Sequence, residues 1–499
     1  MKTIAILGGG SAGWLTALFV KQVWPACDVT VIEDPNTPPI IAGESGSASL
    51  NKLFNFLEIP FDDWIVSVNA MPKLGGKFVN WNGIGTEFVH GLIPDWYRLD
   101  FNAKFPEFGL GNDFLACSLA EGIPTEKIFY NGSLQRVNKL PISPSSVGKF
   151  NVITLPMWHF DSRANADYMK RRGISKGIKL IEGKYIKSNK ALNGDIDSIT
   201  LDTRDQINAD WFFDCSGFAR LLLQKELNEP FKDLSEYFPA RAVVAWWNEP
   251  VLKNYTEMTA LKNGWSWNIN LKHRAGNGYI YDPDRITADQ AIDEAEKYFN
   301  IKIDPVANLK FTPGLFLNSW KNNVIAVGIS SGFLEPLESN GLASVAEQLK
   351  ILSEFWSPDS NTVYEQKSFN DKYQKIMFDI SDFLSLHYRG HRNDSDFWQD
   401  HNSNPQRISA SLQHKLDLWK SGSLGIDNTE VYALENYAVV IQGLDLINKD
   451  KLRQRLLSKR STIFEDFHQS YQKLSNDVDN ITSICYTLEE WVKLVYENN

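Results

Sequence analysis

The chain has 499 residues, of which 43% are hydrophobic and 12% aromatic, so it is long enough to bury a large core. Lysines and arginines number 51 against 61 aspartates and glutamates, a net charge of −10 that argues against nucleic acids and anionic membranes as partners. No apolar stretch approaches the ~20 residues that span a bilayer, and none has the pattern of a signal peptide, so we expect a soluble, cytoplasmic protein.

The N-terminal segment has the pattern of a nucleotide-binding βαβ unit. Residues 3–7 predict a buried parallel strand, and Gly8-Gly9-Gly10-Ser11-Ala12-Gly13 follows at once. Apolar residues at helical spacing predict a helix over 14–23, and a second strand over 29–32 ends at Glu33. This order predicts the opening of a doubly wound sheet.

The glycine turn predicts a dinucleotide site. Free N–H groups at the start of the helix can hold a pyrophosphate, and Glu33, 20 residues after Gly13, can accept hydrogen bonds from a ribose. The expected contacts are Gly8, Gly10, Ser11, Ala12, Gly13 and Glu33. A Rossmann turn without a ligand is the alternative.

Two later apolar strands favour FAD over NAD as the dinucleotide. Residues 211–214 are followed by Gly217, and residues 324–327 by Gly328 and Ile329. Distant segments that return to one ligand suit the long FAD molecule. We therefore add Asp214, Gly217, Gly328 and Ile329 to the expected FAD contacts.

Strand patterns fill the middle of the chain, and helical patterns fill its end. Residues 187–203 alternate and turn at an Asn-Gly pair, which predicts a hairpin. Residues 265–271 alternate on one face, and the glycines at 276–278 predict a turn into a strand at 279–281. From residue 342 onward the apolar spacing is helical.

These patterns predict an α/β fold with a Rossmann-like FAD-binding domain, a strand-rich substrate insertion and a helical C-terminal part. The expected segments are 1–90 (first FAD-binding segment), 91–160 (substrate-side insertion), 161–220 (second FAD-binding segment), 221–310 (strand-rich substrate region), 311–350 (third FAD-binding segment) and 351–499 (helical C-terminal part).

Six motifs, in this order, resemble those of the flavin-dependent tryptophan-halogenase family. They are Gly8 to Trp14, Gly43-Glu44-Ser45, Lys73 ahead of Lys77-Phe78-Val79-Asn80-Trp81, Trp158-His159-Phe160-Asp161, Asp214-Cys215-Ser216-Gly217-Phe218, and Phe333 to Gly341. The resemblance covers most of the chain, to about residue 400.

The resemblance implies that FADH2 and O2 drive halogenation of an electron-rich aromatic ring through a flavin hydroperoxide and a hypohalous acid. Lys73 would guide the hypohalous acid, and Glu338 would polarise it and take the departing proton. The resemblance also implies a halide loop within 311–350, in which Ser339, Asn340 and Gly341 bind the halide. The remaining implied roles are flavin contact for Glu44 and Ser45 and lining of the substrate pocket for His90, Leu92, Trp265 and Trp267. A separate flavin reductase would supply the FADH2.

Three departures from the family pattern concern substrate and halide. Asn270 stands where the family's WxWxIP motif has proline, and Asn340 where threonine is usual. The amino-acid clamp of tryptophan-specific members is not found around residues 432–443. We therefore expect bromide and iodide to be used at least as well as chloride, on varied indoles, phenols or anilines and not on free tryptophan alone.

Other interpretations of the same residues stay open. The chain could be a flavin-dependent aromatic hydroxylase or a non-catalytic nucleotide-binding scaffold. Lys73 could be a solvated surface lysine, and Trp265 and Trp267 could belong only to a half-buried strand. The four cysteines lie far apart without a CxxC pair, so we expect reduced thiols and no metal site. Whether the protein is a homo-oligomer is also open.

Overall fold

The computed structural model describes residues 1–37, 44–91, 112–145, 151–427 and 429–497. Its strands are β1 (Thr3–Leu7), β2 (Asp28–Glu33), β3 (Met71–Lys73), β4 (Gly75–Val79), β5 (Glu87–Gly91), β6 (Ile142–Ser143), β7 (Asn151–Val152), β8 (Met157–His159), β9 (Lys179–Glu182), β10 (Tyr185–Lys190), β11 (Ile196–Leu201), β12 (Gln206–Asn208), β13 (Trp211–Asp214), β14 (Phe231–Asp233), β15 (Ala242–Asn248), β16 (Thr256–Leu261), β17 (Gly264–Asn270), β18 (Ala275–Tyr281), β19 (Pro305–Lys310), β20 (Gly314–Phe316), β21 (Trp320–Lys321), β22 (Val324–Ala326) and β23 (Gly332–Phe333). Its helices are α1 (Ser11–Val23), α2 (Ala48–Phe56), α3 (Phe61–Ser67), α4 (Asp113–Glu121), α5 (Tyr130–Arg136), α6 (Ser162–Ser175), α7 (Ala288–Phe299), α8 (Asn340–Phe355), α9 (Val363–Leu386), α10 (Asp396–Ser403), α11 (Ala410–Lys420), α12 (Leu434–Gly443), α13 (Lys449–Lys459), α14 (Ile463–Ile484) and α15 (Leu488–Val492).

The chain forms two compact units, each assembled from three stretches of sequence. The first unit comprises residues 1–70, 159–241 and 310–378. The second comprises residues 71–158, 242–309 and 379–499.

The first unit is built on a six-stranded sheet in the order β21-β22-β13-β1-β2-β9. All neighbours are parallel except β21 and β22, as expected for apolar strands that are buried on both faces. Leu7 pairs with Asp214, and Asp214 pairs with Ala326. The carboxyl ends of β1, β13 and β22 therefore lie side by side, where open α/β sheets bind their ligands.

Helix α1 covers this sheet and lies close to α6. Trp14 of α1 is fully buried, and a Cβ atom added to Gly173 of α6 would lie 2.7 Å from the Trp14 ring. The glycine thus makes room for the indole. The hairpin predicted at 187–203 is also confirmed, because β10 and β11 pair antiparallel and Gly194 has a φ of 88° in the turn.

The second unit is built on a seven-stranded sheet in the order β19-β15-β18-β17-β16-β4-β5. Its β15 to β18 strands pair antiparallel, whereas β16 and β4 pair parallel. Helix α7, which begins with a Thr287 capping box, packs its Ala291 and Ala295 against this sheet. Helices α10 to α15 complete the unit, and the α/β fold with a helical C-terminal part is confirmed.

The turn predicted at residues 276–278 is wrong. Gly276 and Gly278 lie inside β18, and the chain reverses earlier, where the Leu271 N–H donates to the Arg274 carbonyl at 2.9 Å. The reason is steric, because a Cβ atom at Gly278 would lie 2.1 Å from the ring of Trp267 on the neighbouring strand. A strand glycine here marks a close approach and not a turn.

No helix within the described part of the chain is long and apolar enough to cross a membrane.

Candidate functional site

The glycine turn after β1 lies at the edge where the parallel strands end. Gly8 has a φ of 125°, and its N–H donates to the Ile32 carbonyl at 2.9 Å. A Cβ atom at Gly8 would lie 2.2 Å from the Cys215 carbonyl oxygen, and one at Gly13 would lie 1.9 Å from the Gly8 carbonyl oxygen. Both positions therefore require glycine for the turn to lie against the strand ends.

Gly10 differs from these two glycines because it faces open space. No atom lies within 4 Å of a Cβ atom placed there, and Gly10 is the N-cap of α1 without a side-chain cap. Ser11 begins the helix, and its hydroxyl accepts a hydrogen bond from the Asn165 amide at 3.1 Å. The open cradle and the positive end of the helix fit the pyrophosphate of a dinucleotide.

Glu33 closes the other side of the turn. Its carboxylate lies over Gly9, where a Cβ atom would approach its Oε2 to 2.6 Å. Lys170 of α6 donates to the same oxygen at 3.1 Å. This ion pair, which the sequence pattern did not reveal, fixes the side chain beside the cradle where a ribose hydroxyl could reach it.

The Asp214-to-Gly217 segment is held by a buried carboxylate. Asp214 accepts four hydrogen bonds, from the Ser216 N–H and hydroxyl and from the Leu222 and Leu223 N–H groups, at 2.6–3.1 Å. These bonds shape the turn that carries Gly217, which has a φ of 64°. Asp214 is therefore occupied in fixing the turn that carries Gly217.

The segment after β22 is fixed by three buried polar side chains. The Gln348 amide accepts from the Gly328 N–H at 3.1 Å and donates to the Ala326 carbonyl at 2.6 Å. The Ser331 hydroxyl donates to the Gly328 carbonyl at 2.7 Å and lies 2.6 Å from the Tyr373 hydroxyl. Burial raises the pKa of Tyr373 above its ordinary range, so the phenol stays neutral. Ile329 lies within this fixed loop.

Glu44 and Ser45 lie beside the start of α8. Ser45 forms a β-bridge with His159, and the Phe160 N–H donates to the Glu44 carbonyl at 3.0 Å. The Ser339 hydroxyl donates to the Ser45 hydroxyl at 2.9 Å. The structure therefore brings the expected flavin loop and the expected halide loop together. Gly43 of the same motif lies outside the described residues.

Two consecutive residues in the turn before α8 have left-handed backbone conformations. Glu338 has φ 59° and ψ 19°, and Ser339 has φ 59° and ψ 35°. Non-glycine residues are uncommon there, and such conformations concentrate at functional sites. Asn340 returns to a right-handed conformation, and a left-handed residue followed by a right-handed one is the backbone pattern of nests that bind anions. The Ser339 N–H itself donates to the Pro336 carbonyl at 3.3 Å.

The side chain of Asn340 locks this turn. Its amide donates to the Leu337 carbonyl at 2.6 Å. Gly341, the next residue, faces open space, since no atom lies within 4 Å of a Cβ atom built there. A halide ion could therefore approach the backbone at Gly341 while the Asn340 amide is occupied within the turn.

Lys73 is the last residue of β3 and is only 5% exposed. The following residue, Leu74, is fixed because its N–H donates to the Asn254 carbonyl at 2.7 Å. The interpretation of Lys73 as a solvated surface lysine is therefore wrong. Lysine side chains are almost never buried to this degree unless they are paired.

Trp265 and Trp267 lie on one face of β17 with their ring centroids 6.0 Å apart. The Trp265 indole donates to the Tyr388 hydroxyl at 2.9 Å, and Trp267 packs over Gly278. Both indoles are buried, as they would also be on the covered face of a half-buried strand.

Asn270, which stands where the WxWxIP motif has proline, belongs to a row of hydrogen-bonded asparagine side chains. Its amide donates to Asn268 at 2.8 Å, and Asn268 donates to Asn277 on β18 at 2.8 Å. The Asn270 side-chain oxygen accepts from the Val251 N–H at 2.8 Å. These bonds connect the end of β17 to β18 and to the segment at Val251.

His90 is buried in an aromatic environment. Its ring nitrogen lies 3.1 Å from the Asn436 amide oxygen, and its centroid lies 6.1 Å from that of Phe383. Phe383 in turn stacks on Tyr432 at 3.9 Å. The sequence did not identify Asn436, Phe383 and Tyr432 as neighbours of His90, because long stretches of chain separate them from it. Leu92 lies outside the described residues.

The chain resembles known proteins over nearly its whole length. The family model described as tryptophan halogenase matches residues 3–457. Tryptophan 7-halogenase RebH of Lentzea aerocolonigenes is 29% identical over 491 residues, which cover 89% of each chain. Two solved structures share the fold: BrvH, a flavin-dependent halogenase from Brevundimonas sp. BAL3 (24% identity, TM-score 0.83), and the tryptophan 6-halogenase SttH from Streptomyces toxytricini (22% identity, TM-score 0.86). Each comparison covers 99% of both chains.

Proposed function

Because the chain belongs to the tryptophan halogenase family and is a flavin-dependent halogenase, we propose that it uses FADH2, O2 and a halide ion to halogenate electron-rich aromatic compounds. The observation that carries this proposal is the strained turn at residues 338–341, an anion nest joined by the Ser339 hydroxyl to the expected flavin loop at Ser45. A scaffold that only bound a nucleotide would need the phosphate cradle at Gly10 but no second anion site at this turn.

The first unit supplies the groups that would hold FAD. We assign them to the parts of segments 1–90, 161–220 and 311–350 that lie in the first unit, which excludes residues 71–90. The residues are Gly8, Gly10, Ser11, Ala12, Gly13, Glu33, Glu44, Ser45, Asp214, Gly217, Gly328 and Ile329. The open cradle at Gly10 admits a phosphate where a side chain would fill the space. When bound, reduced FAD and O2 supply the oxidant that converts halide to hypohalous acid.

The turn at the start of α8 would bind the halide. Ser339, Asn340 and Gly341 present backbone at the N-terminus of a 16-residue helix, where the positive end of the helix dipole favours an anion. The Asn340 amide stabilises the turn through its hydrogen bond to the Leu337 carbonyl. Bromide, iodide and chloride could all enter.

Lys73 would guide the oxidant to the substrate. A buried ammonium or amine group can hydrogen-bond a hypohalous acid or carry its halogen as a haloamine. Glu338, held in a left-handed conformation, would polarise the halogenating species and accept the proton that leaves the ring. Trp265 and Trp267 would form a wall that only a small oxidant passes, and His90 would line the substrate pocket together with Leu92.

A panel of halides and aromatic substrates, run with an added flavin reductase and analysed by mass spectrometry, tests this function. We expect halide-dependent products, no turnover with NADH and FAD in the absence of the reductase, and bromination at least as fast as chlorination. An aromatic hydroxylase would instead give halide-independent products heavier by one oxygen.

Two variants test the assigned residues. Lys73→Ala should abolish halogenation while O2 still reoxidises the flavin, and Glu338→Gln should slow halogenation by roughly 10²–10⁴. Lys77→Ala is the matched control, because Lys77 lies on the next strand and pairs with Glu87 at 2.7 Å. Normal halogenation by Lys73→Ala would refute the assignment.

A further inference from the structure

A buried asparagine of α6 connects the core of the first unit with the open cradle at the start of α1. Asn165 is fully buried, and its side-chain amide lies between the Trp64 indole and the Ser11 hydroxyl. The Trp64 N–H donates to the Asn165 amide oxygen at 2.9 Å, and the Asn165 amide nitrogen donates to the Ser11 hydroxyl at 3.1 Å. All three residues belong to the first unit. A row of hydrogen bonds therefore runs from the core to Ser11, which adjoins Gly10.

The direction of this row is fixed by the chemistry of its members. An indole nitrogen only donates hydrogen bonds, so the atom of Asn165 that faces Trp64 is the amide oxygen. The amide nitrogen then faces Ser11, and because this nitrogen also only donates, the Ser11 hydroxyl accepts. Turning the amide over would place two buried donors against each other, which is unfavourable.

The Ser11 hydroxyl keeps a proton that it can donate to a ligand. A serine hydroxyl has one donor and two acceptor positions, and Asn165 occupies an acceptor position. No residue within the described ranges accepts a hydrogen bond from this hydroxyl. Its proton points away from the Asn165 nitrogen, and the neighbouring Gly10 faces open space. The hydroxyl therefore offers a donor at the cradle where the pyrophosphate is expected.

Helix α6 contacts both sides of this cradle. Asp161 caps its first turn, Asn165 donates to Ser11, and Lys170 pairs with Glu33 at 3.1 Å. The phosphate side and the ribose side of the expected dinucleotide site are thus connected through one helix. Groups that are already in place lose less freedom when a ligand binds, so this arrangement favours binding.

We infer that Asn165 is a positioning residue for FAD, which accepts a hydrogen bond from Trp64, donates to Ser11 and thereby directs the Ser11 proton to a phosphate oxygen of the dinucleotide. The inference rests on the proposed FAD site. Hydrogen bonds to charged phosphate oxygens are stronger than those between neutral groups. Because Asn165 acts through Ser11, its effect is confined to ligands that carry the pyrophosphate.

Fluorescence titration of the full chain with FAD and with riboflavin tests the inference, because riboflavin has the same ring system and ribityl chain but no phosphate. Ser11→Ala should weaken FAD binding about tenfold, the size of one charge-assisted hydrogen bond, and leave riboflavin binding unchanged. Asn165→Asp should have at least the same effect, although it changes no atom of Ser11. The introduced carboxylate accepts the Ser11 proton, which is then lost to the phosphate.

The double variant separates this mechanism from repulsion between the introduced carboxylate and the phosphate. In the Asn165→Asp protein the Ser11 proton is already turned away, so adding Ser11→Ala should change FAD affinity by less than about twofold. Repulsion alone would preserve the full effect of Ser11→Ala and would overturn the inference. Asn370→Asp is the matched control, because Asn370 is a buried asparagine of the same unit whose amide bonds to the Trp320 backbone. It should leave FAD affinity and the effect of Ser11→Ala unchanged.

Asn165→Leu keeps the test decisive if the buried carboxylate prevents folding. Leucine is similar in size and uncharged, and the Ser11 hydroxyl then rotates among three staggered positions, so FAD should bind about threefold more weakly and riboflavin equally well. Equal losses of FAD and riboflavin affinity would overturn the inference, because they would show a general effect on the fold. FAD binding that does not depend on Ser11 would overturn it too but would leave the proposed cofactor standing, whereas a protein that binds no FAD would refute the cofactor itself.

Discussion

Replacement of Gly278 by alanine should displace Trp267 and open the proposed indole wall. The added Cβ atom would lie 2.1 Å from Trp267 Cζ2 and 2.2 Å from Cη2. Carbon atoms in contact are normally at least about 3.5 Å apart, so the ring or the strand must move by about 1.4 Å. Trp267 is 8% exposed and has little room for this movement.

The expected cost follows from overpacking in a buried sheet. Such substitutions destabilise proteins by about 1–3 kcal/mol. If the displaced indole no longer separates the oxidant from the substrate side, halogenated product per O2 consumed should fall as well. Denaturant unfolding measures the first effect, and an oxygen electrode combined with mass spectrometry of the product measures the second.

A double variant separates this clash from a general effect on β18. Phenylalanine lacks the outer indole atoms that the new methyl group would meet, so Trp267→Phe should recover part of the stability lost in Gly278→Ala. If Gly278→Ala is as stable as the unmodified protein and equally efficient per O2, Gly278 does not position Trp267. Strict additivity of the two substitutions would lead to the same conclusion.

Three further predictions concern separate sites. In the protein without FAD, the side chain introduced by Gly10→Val meets no other atom, so folding should be unaffected. FAD should bind this variant at least about tenfold more weakly, as measured by fluorescence titration. Equal affinity would show that the cradle at Gly10 does not face FAD. At equal halide concentrations, bromide should be incorporated at least as well as chloride, because Asn340 stands where threonine is usual in the halide loop and its amide holds the turn through Leu337. A strict preference for chloride would contradict this. His401 is buried, and burial and nearby arginines hold its pKa well below 6.5. The unfolded chain therefore binds more protons at acidic pH, so stability should fall as pH drops below about 6.5, by up to about 1.4 kcal/mol per pH unit. His401→Phe should reduce that slope in urea unfolding, and an unchanged slope would assign the acid sensitivity to other groups.

The N-terminal βαβ unit and the late strands could be predicted because their signals are local. The βαβ unit is indicated by apolar runs, a glycine turn and Glu33 at the end of a strand, all within about 30 residues. The NG hairpin was predictable for the same reason. Gly278 was misinterpreted as part of a turn because the Trp267 ring, which leaves no room for a Cβ atom there, belongs to another strand.

The finer arrangement of the candidate site depends on long-range contacts. No local sequence pattern indicates that Gln348 and Tyr373 fix the Gly328 loop, or that the Ser45 and Ser339 hydroxyls form a hydrogen bond. The left-handed conformations of Glu338 and Ser339 likewise go against the preferences of these residue types. Such positions are imposed by the surrounding fold, and sequence patterns predict them least well.

The parallel pairing of β4 with β16 has a consequence for how the protein is made. During synthesis β4 and β5 leave the ribosome early, but their neighbour in the seven-stranded sheet begins only at Thr256. Until then β4 has an open edge that can pair with other chains. Yield in a foreign host should therefore depend on slow translation or on chaperones that cover nascent strands, and truncations before residue 281 should aggregate.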